Sequence, residues 1–153
     1  MTGATITATS AEAVTKANAT KLDGFTNKTV TVASVKDTRS NVTDISDLAG
    51  VDMSNAVATI DDAVSLSQAQ DLNLLTDGKI TLSTVADTYA NVQEIKKIND
   101  AQVDMGAANV TVTSQTNITE INDLRDNDTT GNITINDVSE SKDNLATIKG
   151  YGD

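Results

Sequence analysis

The segment from residue 126 to residue 137 has residue types and spacing that could bind calcium. Four oxygen-bearing side chains stand at positions one, three, five and twelve of an EF-hand order: Asp126, Asp128, Thr130 and Asp137. Calcium takes about six to eight hard oxygen ligands from such loops. Threonine is a weak ligand, however, and the equivalent turn Thr76-Asp77-Gly78 has the same shape without the ligands. Calcium is therefore a candidate cofactor at these four residues, and a plain turn is the favoured alternative.

Four asparagines precede recurring apolar stripes and form a second candidate for polar chemistry: Asn41, Asn91, Asn117 and Asn144. Asn41 and Asn117 lie in Asn-x-Thr sequons, which could accept a glycan. Asn91 and Asn144 hold the same repeat position without a sequon. A structural ladder, in which each side-chain amide bonds to the backbone at one turn of a coiled chain, accounts for all four. We therefore favour the ladder over glycosylation.

Catalytic chemistry has few residues to use. The chain contains no His and no Cys, which excludes the usual triads, thiolate nucleophiles and imidazole or thiolate metal sites. Carboxylate pairs such as Asp61 and Asp62 could in principle act as acid and base, but a solvated turn explains them more simply. No phosphate-binding or dinucleotide-binding fingerprint occurs. We predict no catalytic residue and no enzymatic activity.

Charge and composition limit the partners. The chain has 22 acidic and 11 basic residues and a formal net charge of −11, which repels nucleic acid and attracts cations. No apolar run reaches the length of a membrane helix, so we expect neither nucleic-acid binding nor membrane insertion. The aromatic content is 2%. A core without large aromatic side chains suits a thin repeated layer of aliphatic residues.

Two segments fifty positions apart align without a gap. Residues 30–48 read VTVASVKDTRSNVTDISDL, and residues 80–98 read ITLSTVADTYANVQEIKKI. The match continues downstream, where Val51-Asp52-Met53 recurs as Val103-Asp104-Met105. Self-similarity of this length is typical of repeat architectures, with a unit here of about 50 to 53 residues.

Each large unit contains two smaller ones. Segments with the alternation of half-buried strands begin near six positions: Thr5, Thr29, Val57, Ile80, Val110 and Ile133. After most of them, apolar residues recur at every third position, which keeps them on one side of a short helix. These stripes are Val42/Ile45/Leu48, Ala69/Leu72/Leu75, Val92/Ile95/Ile98 and Ile118/Ile121/Leu124, with Leu145/Ile148 as a shortened last copy. Asp37-Thr38 and Asp87-Thr88 stand where helix caps are expected.

The predicted fold is α/β, a right-handed solenoid of strand-plus-short-helix repeats with a parallel sheet, leucine-rich-repeat-like or β-solenoid-like. We expect one domain over residues 1–153. Its approximate repeats are 4–27, 28–55, 56–78, 79–108, 109–131 and 132–149.

The segments 36–42 and 86–92 resemble tandem repeats of very large secreted bacterial surface proteins, including adhesins and surface-layer-like proteins. The shared pattern is Asp-Thr-x-x-Asn-Val, followed by spaced aliphatic residues and an Ile-Thr-Leu strand. The chain departs from it at 116–118, where the Asp-Thr pair is missing. The resemblance implies a non-catalytic extracellular building block, often exported without a cleaved signal.

We therefore expect an extracellular or cell-surface structural repeat module. It would self-associate, or stack on neighbouring repeats of a larger surface protein, to build a layer, filament or adhesin. The alternative is a monomeric module that binds glycan or ice through a flat array of threonines. The residues of that array would be Thr31, Thr81, Thr111 and Thr134. Their uneven spacing argues against a lattice-matched face.

Overall fold

The computed structural model describes residues 6–8 and 12–144 of the chain. It is a mixed α/β arrangement in which the strand pairs of the described part are parallel. The strands are β1 (Ile6–Ala8), β2 (Val30–Val32), β3 (Ser34–Asp37), β4 (Val51–Asp52), β5 (Val57–Val64), β6 (Ile80–Asp87), β7 (Val103–Asp104), β8 (Asn109–Thr116) and β9 (Ile133–Val138). The α-helices are α1 (Lys16–Phe25), α2 (Arg39–Ser46), α3 (Leu66–Asn73), α4 (Tyr89–Ile95) and α5 (Ile118–Asp123). A 3₁₀ turn covers Ile98–Ala101, and a π turn covers Leu124–Asp128.

The strands of the described residues form two sheets. One has the order β1-β2-β4, and the other has the order β3-β5-β6-β8-β9 with β7 beside β6. Neighbouring strands succeed one another along the chain, with a short helix between most of them. We number the resulting strand–helix units as unit 1 (β1, α1), unit 2 (β2, β3, α2), unit 3 (β5, α3), unit 4 (β6, α4), unit 5 (β8, α5) and unit 6 (β9 and the helical residues 142–144).

Rows of aliphatic side chains run across the strands and build the core. In the longest row, each residue pairs with the next at steps of 21 to 23 positions: Val14, Val35, Ala58, Ile80 and Val103. All five are 6% exposed or less. Burying one Val or Ile side chain stabilises a fold by about 1.5–3 kcal/mol. One unit cannot cover such a row alone, so the units depend on their neighbours.

The helices begin at polar caps and bury one stripe each. Thr38 and Thr88 accept hydrogen bonds from the backbone three residues ahead, which confirms the caps predicted there. Thr15, Ser65 and Asn117 do the same for the other helices. The residues four and seven positions after the cap then face the sheet. Those that are buried are Ala19, Val42, Ile45, Ala69, Leu72, Val92, Ile95 and Leu124.

Most predicted strands are confirmed, and three short ones were missed. Strands start within one residue of Thr29, Val57, Ile80, Val110 and Ile133, whereas Thr5, Leu145 and Ile148 lie outside the described residues. Strand β3 comes after β2 with a single residue between them, and β4 and β7 contain only two residues each. Such short segments carry too little alternation to indicate a strand.

The turn before β6 requires a glycine. The Thr76 hydroxyl donates to the Ala56 carbonyl at 2.7 Å and accepts from the Gly78 backbone N–H at 3.0 Å. A Cβ added to Gly78 would lie 2.2 Å from the same carbonyl oxygen. The turn before β9 repeats this arrangement with Thr129, Gly131 and Ala108. These turns hold the strands of units 4 and 6 against the strands of the units before them.

Replacing Gly78 by alanine is expected to lower the free energy of unfolding by about 1–3 kcal/mol, because the new methyl group overlaps a backbone carbonyl. Urea unfolding measures this change. The matched control is Gly24→Ala, where an added Cβ meets nothing within 4 Å. There alanine is expected to be neutral or to stabilise by about 1 kcal/mol, since it is the better helix former. Equal stability of Gly78→Ala and the unaltered chain would contradict the close approach.

Candidate functional site: a capping ladder between units

The first backbone N–H of each helix donates to a side chain of the next unit. The first turn of a helix leaves its N–H groups without intrahelical partners, and here an oxygen 21 to 25 positions later accepts one of them. The five bonds are Lys16 to Asp37 (3.0 Å), Arg39 to Asp62 (2.6 Å), Leu66 to Asp87 (2.8 Å), Tyr89 to Ser114 (3.1 Å) and Ile118 to Glu140 (2.6 Å). We call these five acceptors the capping ladder.

The carboxylates of even-numbered units also fix the start of their own helix. Asp87 accepts from the Leu66 N–H of unit 3, from its neighbour Thr88 N–H at 2.7 Å, and from the Asn91 amide at 2.8 Å. Asp37 and Glu140 make the equivalent sets of bonds. A negative charge at a helix N-terminus is favourable because of the aligned peptide dipoles. Each carboxylate therefore joins two helix starts.

These bonds lower the pKa values of the three ladder carboxylates in even-numbered units, Asp37, Asp87 and Glu140. Partial burial by itself raises the pKa of Asp87, but the hydrogen bonds from Leu66, Asn91 and Thr88 outweigh it and hold the pKa below its ordinary value of 3.8. The same balance lowers the pKa of Asp37. At Glu140 the bond from Asn144 is the main cause of a lowered pKa. A carboxylate with a depressed pKa in the folded state stabilises the fold above its unfolded-state pKa. That stability is lost as pH falls through the folded-state value.

The predicted asparagine ladder needs a correction in its bonds. The side-chain amides of Asn41, Asn91 and Asn144 donate to a carboxylate four residues earlier, at 2.7 to 2.8 Å, and not to the backbone. Asn117 has a different role, because it is the N-cap of α5 and accepts from the Glu120 N–H. Its position matches the caps of units 1 and 3. Ile118 is therefore the first residue of α5. Of the predicted stripe Ile118/Ile121/Leu124, only Leu124 is fully buried.

Three ladder residues, Asp62, Ser114 and Glu140, were missed in the sequence. Asp61 and Asp62 were interpreted as a solvated turn, but both lie on strand β5. Asp62 caps Arg39, and Asp61 lies 3.6 Å from the Lys36 ammonium. Ser114 takes the place of Asp62 in unit 5. Asp62 and Ser114 each precede their N-cap by three residues, and that spacing was the available signal.

The four predicted calcium ligands lie in two places. Asp126, Asp128 and Thr130 line one shallow cavity of about 200 Å³, whereas Asp137 lies on strand β9 and accepts from Gln115. Asp126 accepts from Arg125, and Thr130 donates to the Gly106 carbonyl. The twelve-residue segment contains a strand and does not form a loop. Within residues 6–8 and 12–144, no group of three or more acidic side chains is arranged to hold a metal ion.

Asp128 belongs to a polar cluster that joins units 4 and 5. Its side chain is fully buried and accepts from Gln93 and Lys96 of the preceding unit. Nearby, the Tyr89 hydroxyl donates to Asp123 at 2.8 Å. Burial, together with that bond, raises the pKa of Tyr89 to about 12. Separating a buried carboxylate from its lysine costs about 3–5 kcal/mol, so this cluster is a second attachment between neighbouring units.

Comparison of the chain with protein-family models, curated proteins and solved structures finds no match. None of the helices in the described part of the chain is long and apolar enough to cross a membrane. Any function proposed for the chain therefore rests on its own geometry.

Replacing Asp87 by alanine is expected to lower the free energy of unfolding at neutral pH by about 2 kcal/mol or more. The change leaves two helix N–H groups and an amide without their charged acceptor. The difference from the unaltered chain should shrink as pH falls through the lowered pKa of Asp87, because its charge is then lost in both states.

Urea unfolding at a series of pH values measures the effect. Asp77→Ala is the control, since Asp77 is exposed in a turn and such surface changes stay within about 0.5 kcal/mol. A loss at Asp87 that is equal at neutral and acidic pH would show that the carboxylate charge does not join the helix starts.

Proposed function

We propose that this chain is a non-catalytic extracellular structural module. Its strand–helix units stack as a right-handed solenoid, and the stack self-associates or continues into neighbouring repeats. The product would be a cell-surface layer, filament or adhesin. The observation that carries the proposal is the capping ladder, whose acceptors all join one unit to the next.

The pairing pattern supports a solenoid. Partners in neighbouring strands lie 21 to 25 positions apart along the chain, from Ile6 and Val30 to Val110 and Ile133. Each unit therefore packs mainly against the unit before it and the unit after it. Stability in such a protein is a sum of unit terms and nearest-neighbour interfaces, and an added unit extends the stack without rearranging it.

The use of the carboxylates supports a structural role over an enzymatic one. Catalytic acids are recognised by shifted pKa values in a cleft. Here Asp37, Asp87 and Glu140 have lowered pKa values because they accept hydrogen bonds from helix starts and asparagine amides. Their shifts have a structural cause.

The glycan- or ice-binding alternative has less support, because the outward threonines do not form one row. Thr81 pairs with Thr59 on one side but with Asp104 on the other, and Thr31 likewise has Asp52 as a neighbour. Thr111 and Thr134 pair with each other. The threonine rows are thus short and interrupted by carboxylates, whereas a lattice-matched face needs an even array.

Calcium stays a prediction within this proposal. It would act by bridging carboxylates between copies, because the chain carries an excess of acidic residues and Ca²⁺ prefers carboxylate oxygens. At residues 126–137 the ion would have to compete with Arg125 for Asp126 and with Lys96 for Asp128.

The proposal predicts concentration-dependent assemblies of the purified chain. Sedimentation velocity over a concentration series, with negative-stain electron microscopy of the same samples, measures them in calcium and then in chelator. Filaments or sheets that persist in chelator would support assembly without calcium, and their loss would make calcium the joint. A monodisperse monomer at every concentration in both conditions would contradict self-association.

A further inference from the structure

The six units within residues 6–8 and 12–144 are of two alternating kinds. In odd-numbered units the ladder acceptor stands three residues before the N-cap, as Asp62 does before Ser65. In even-numbered units it stands directly before the N-cap, as Asp87 does before Thr88. The described chain therefore begins with an odd unit and ends with an even one. Inside the stack, every even unit is succeeded by an odd unit.

The junction from an even to an odd unit occurs twice, with the same geometry. Between units 2 and 3, Val35 pairs with Ala58, and the first helical N–H donates to Asp62. Between units 4 and 5, Val85 pairs with Val110, and the first helical N–H donates to Ser114. A third junction of this kind would need an even unit on one side and an odd unit on the other.

The C-terminal face has the even half of that junction. Val138 pairs with Thr116 in the way that Val85 pairs with Val64, so Val138 is the equivalent of Val35 and Val85. Ser141 accepts from the Asn144 N–H as an N-cap does, and Lys142 is the first helical residue after it. Among the described residues, the Lys142 N–H has no acceptor from a following unit.

The N-terminal face has the odd half. Ile6 pairs with Val30 as Ala58 pairs with Ile80, so Ile6 is the equivalent of Ala58 and Val110. Glu12 precedes the N-cap Thr15 by three residues, which is the ladder position, and it is exposed. A glutamate is long enough for this role, because Glu140 reaches the Ile118 N–H at 2.6 Å.

Resting on the proposed function, we propose that two copies of this chain dock head to tail. Strand β1 of one copy continues the parallel sheet beyond β9 of the other, with Ile6 opposite Val138. Glu12 of the first copy accepts a hydrogen bond from the Lys142 N–H of the second. The two contacting surfaces differ, so the contact is heterologous and repeats from copy to copy as an open filament.

Apolar exposure at the two ends fits this contact. Phe25 is 66% exposed and lines a cavity of about 380 Å³ with Leu22 and Val14. The residues at the same distance from their N-caps in units 2, 3 and 4 are half-buried: Leu48, Leu75 and Ile98. At the other end, a cavity of about 470 Å³ is lined by half-buried aliphatic residues whose equivalents in unit 4 are fully buried: Ile133, Ile135 and Val138.

The sequence before β1 supports the same register. Residues 1–6 read MTGATI, residues 53–58 read MSNAVA, and residues 105–110 read MGAANV, so the pattern Met-x-x-Ala recurs at the same distance from the paired strand residue. The two later copies of the pattern each lead from an even unit into an odd one. Their Met and Ala residues are buried: Met53, Ala56, Met105 and Ala108.

Cysteine cross-linking tests the register directly, because the chain has no cysteine of its own. The proposed pairing puts Thr7 opposite Ser139, as Thr111 lies opposite Ala86, and both are exposed. Cα atoms of directly opposed residues are within disulfide reach. On oxidation, the variant Thr7→Cys/Ser139→Cys should give a series of cross-linked dimers, trimers and longer species on a non-reducing gel.

The matched control is Thr7→Cys/Thr134→Cys. Thr134 is also exposed on β9 but five positions from Ser139, so few cross-links are expected. Equal cross-linking of both variants would overturn the head-to-tail register. Dimers without longer species from Thr7→Cys/Ser139→Cys would overturn it as well.

A charge reversal tests the cap. Glu12→Lys should weaken self-association at least about tenfold, because a charge-assisted hydrogen bond is replaced by repulsion of Lys142. Asp77→Lys makes the same charge change in an exposed turn and should have little effect. Urea unfolding of the monomers shows whether either variant is misfolded. The unaltered chain could assemble while Glu12→Lys leaves assembly unchanged and Thr7→Cys/Ser139→Cys fails to cross-link. That result would overturn this interface alone. No assembly of the unaltered chain would contradict self-association, which is the part of the proposed function on which this interface rests.

Discussion

A two-turn helix leaves its first backbone N–H groups without partners, and the rest of this structure depends on how they are satisfied. An N-cap hydroxyl or amide within the unit accepts one of them. The next unit supplies the acceptor for another, from Asp37 through Glu140. Isolated helices of this length are marginal in water. The helices are therefore stabilised largely by contacts with neighbouring units. The aliphatic rows of the sheet likewise depend on neighbouring units for their burial.

This dependence on neighbours distinguishes the internal units from those at the two ends of the described chain. An internal unit has its strand paired on both sides and its helix start capped from the next unit. Among the described residues, the outer edges of β1 and β9 have no paired strand, and the Lys142 N–H has no ladder acceptor. Exposed edges invite pairing with another chain. Glu12 and Phe25 are exposed at the N-terminal end. In internal units, the residues equivalent to Glu12 accept a helix N–H, and those equivalent to Phe25 in units 2, 3 and 4 are half-buried. The self-association that we propose would use the same contacts that hold the units together.

Local periodicity predicted the elements but not the bonds between them. The starts of β5, β6 and β9, the caps Thr38 and Thr88, and the parallel pairing could be derived from alternation and three-residue stripes. The partners of Asp62 and Ser114 could not, because they lie 23 and 25 positions away. The calcium prediction used spacing along residues 126–137, but strand β9 begins inside that segment and moves Asp137 away. The asparagine positions were informative, and the carboxylates that accept from their amides lie only four residues earlier, so this spacing was an available signal that was not used.

Amide hydrogen exchange at the helix starts tests the central claim most directly. The N–H groups of Arg39, Leu66 and Tyr89 belong to first helical residues, which ordinarily exchange quickly because they lack an intrahelical acceptor. Since the next unit supplies their acceptors, we predict protection close to that of the buried strand amides of β6. The reference is the first-turn amide of Lys142, which has no ladder acceptor among the described residues and should exchange fast in the monomer. Exchange of all four amides at the same fast rate would contradict the capping ladder.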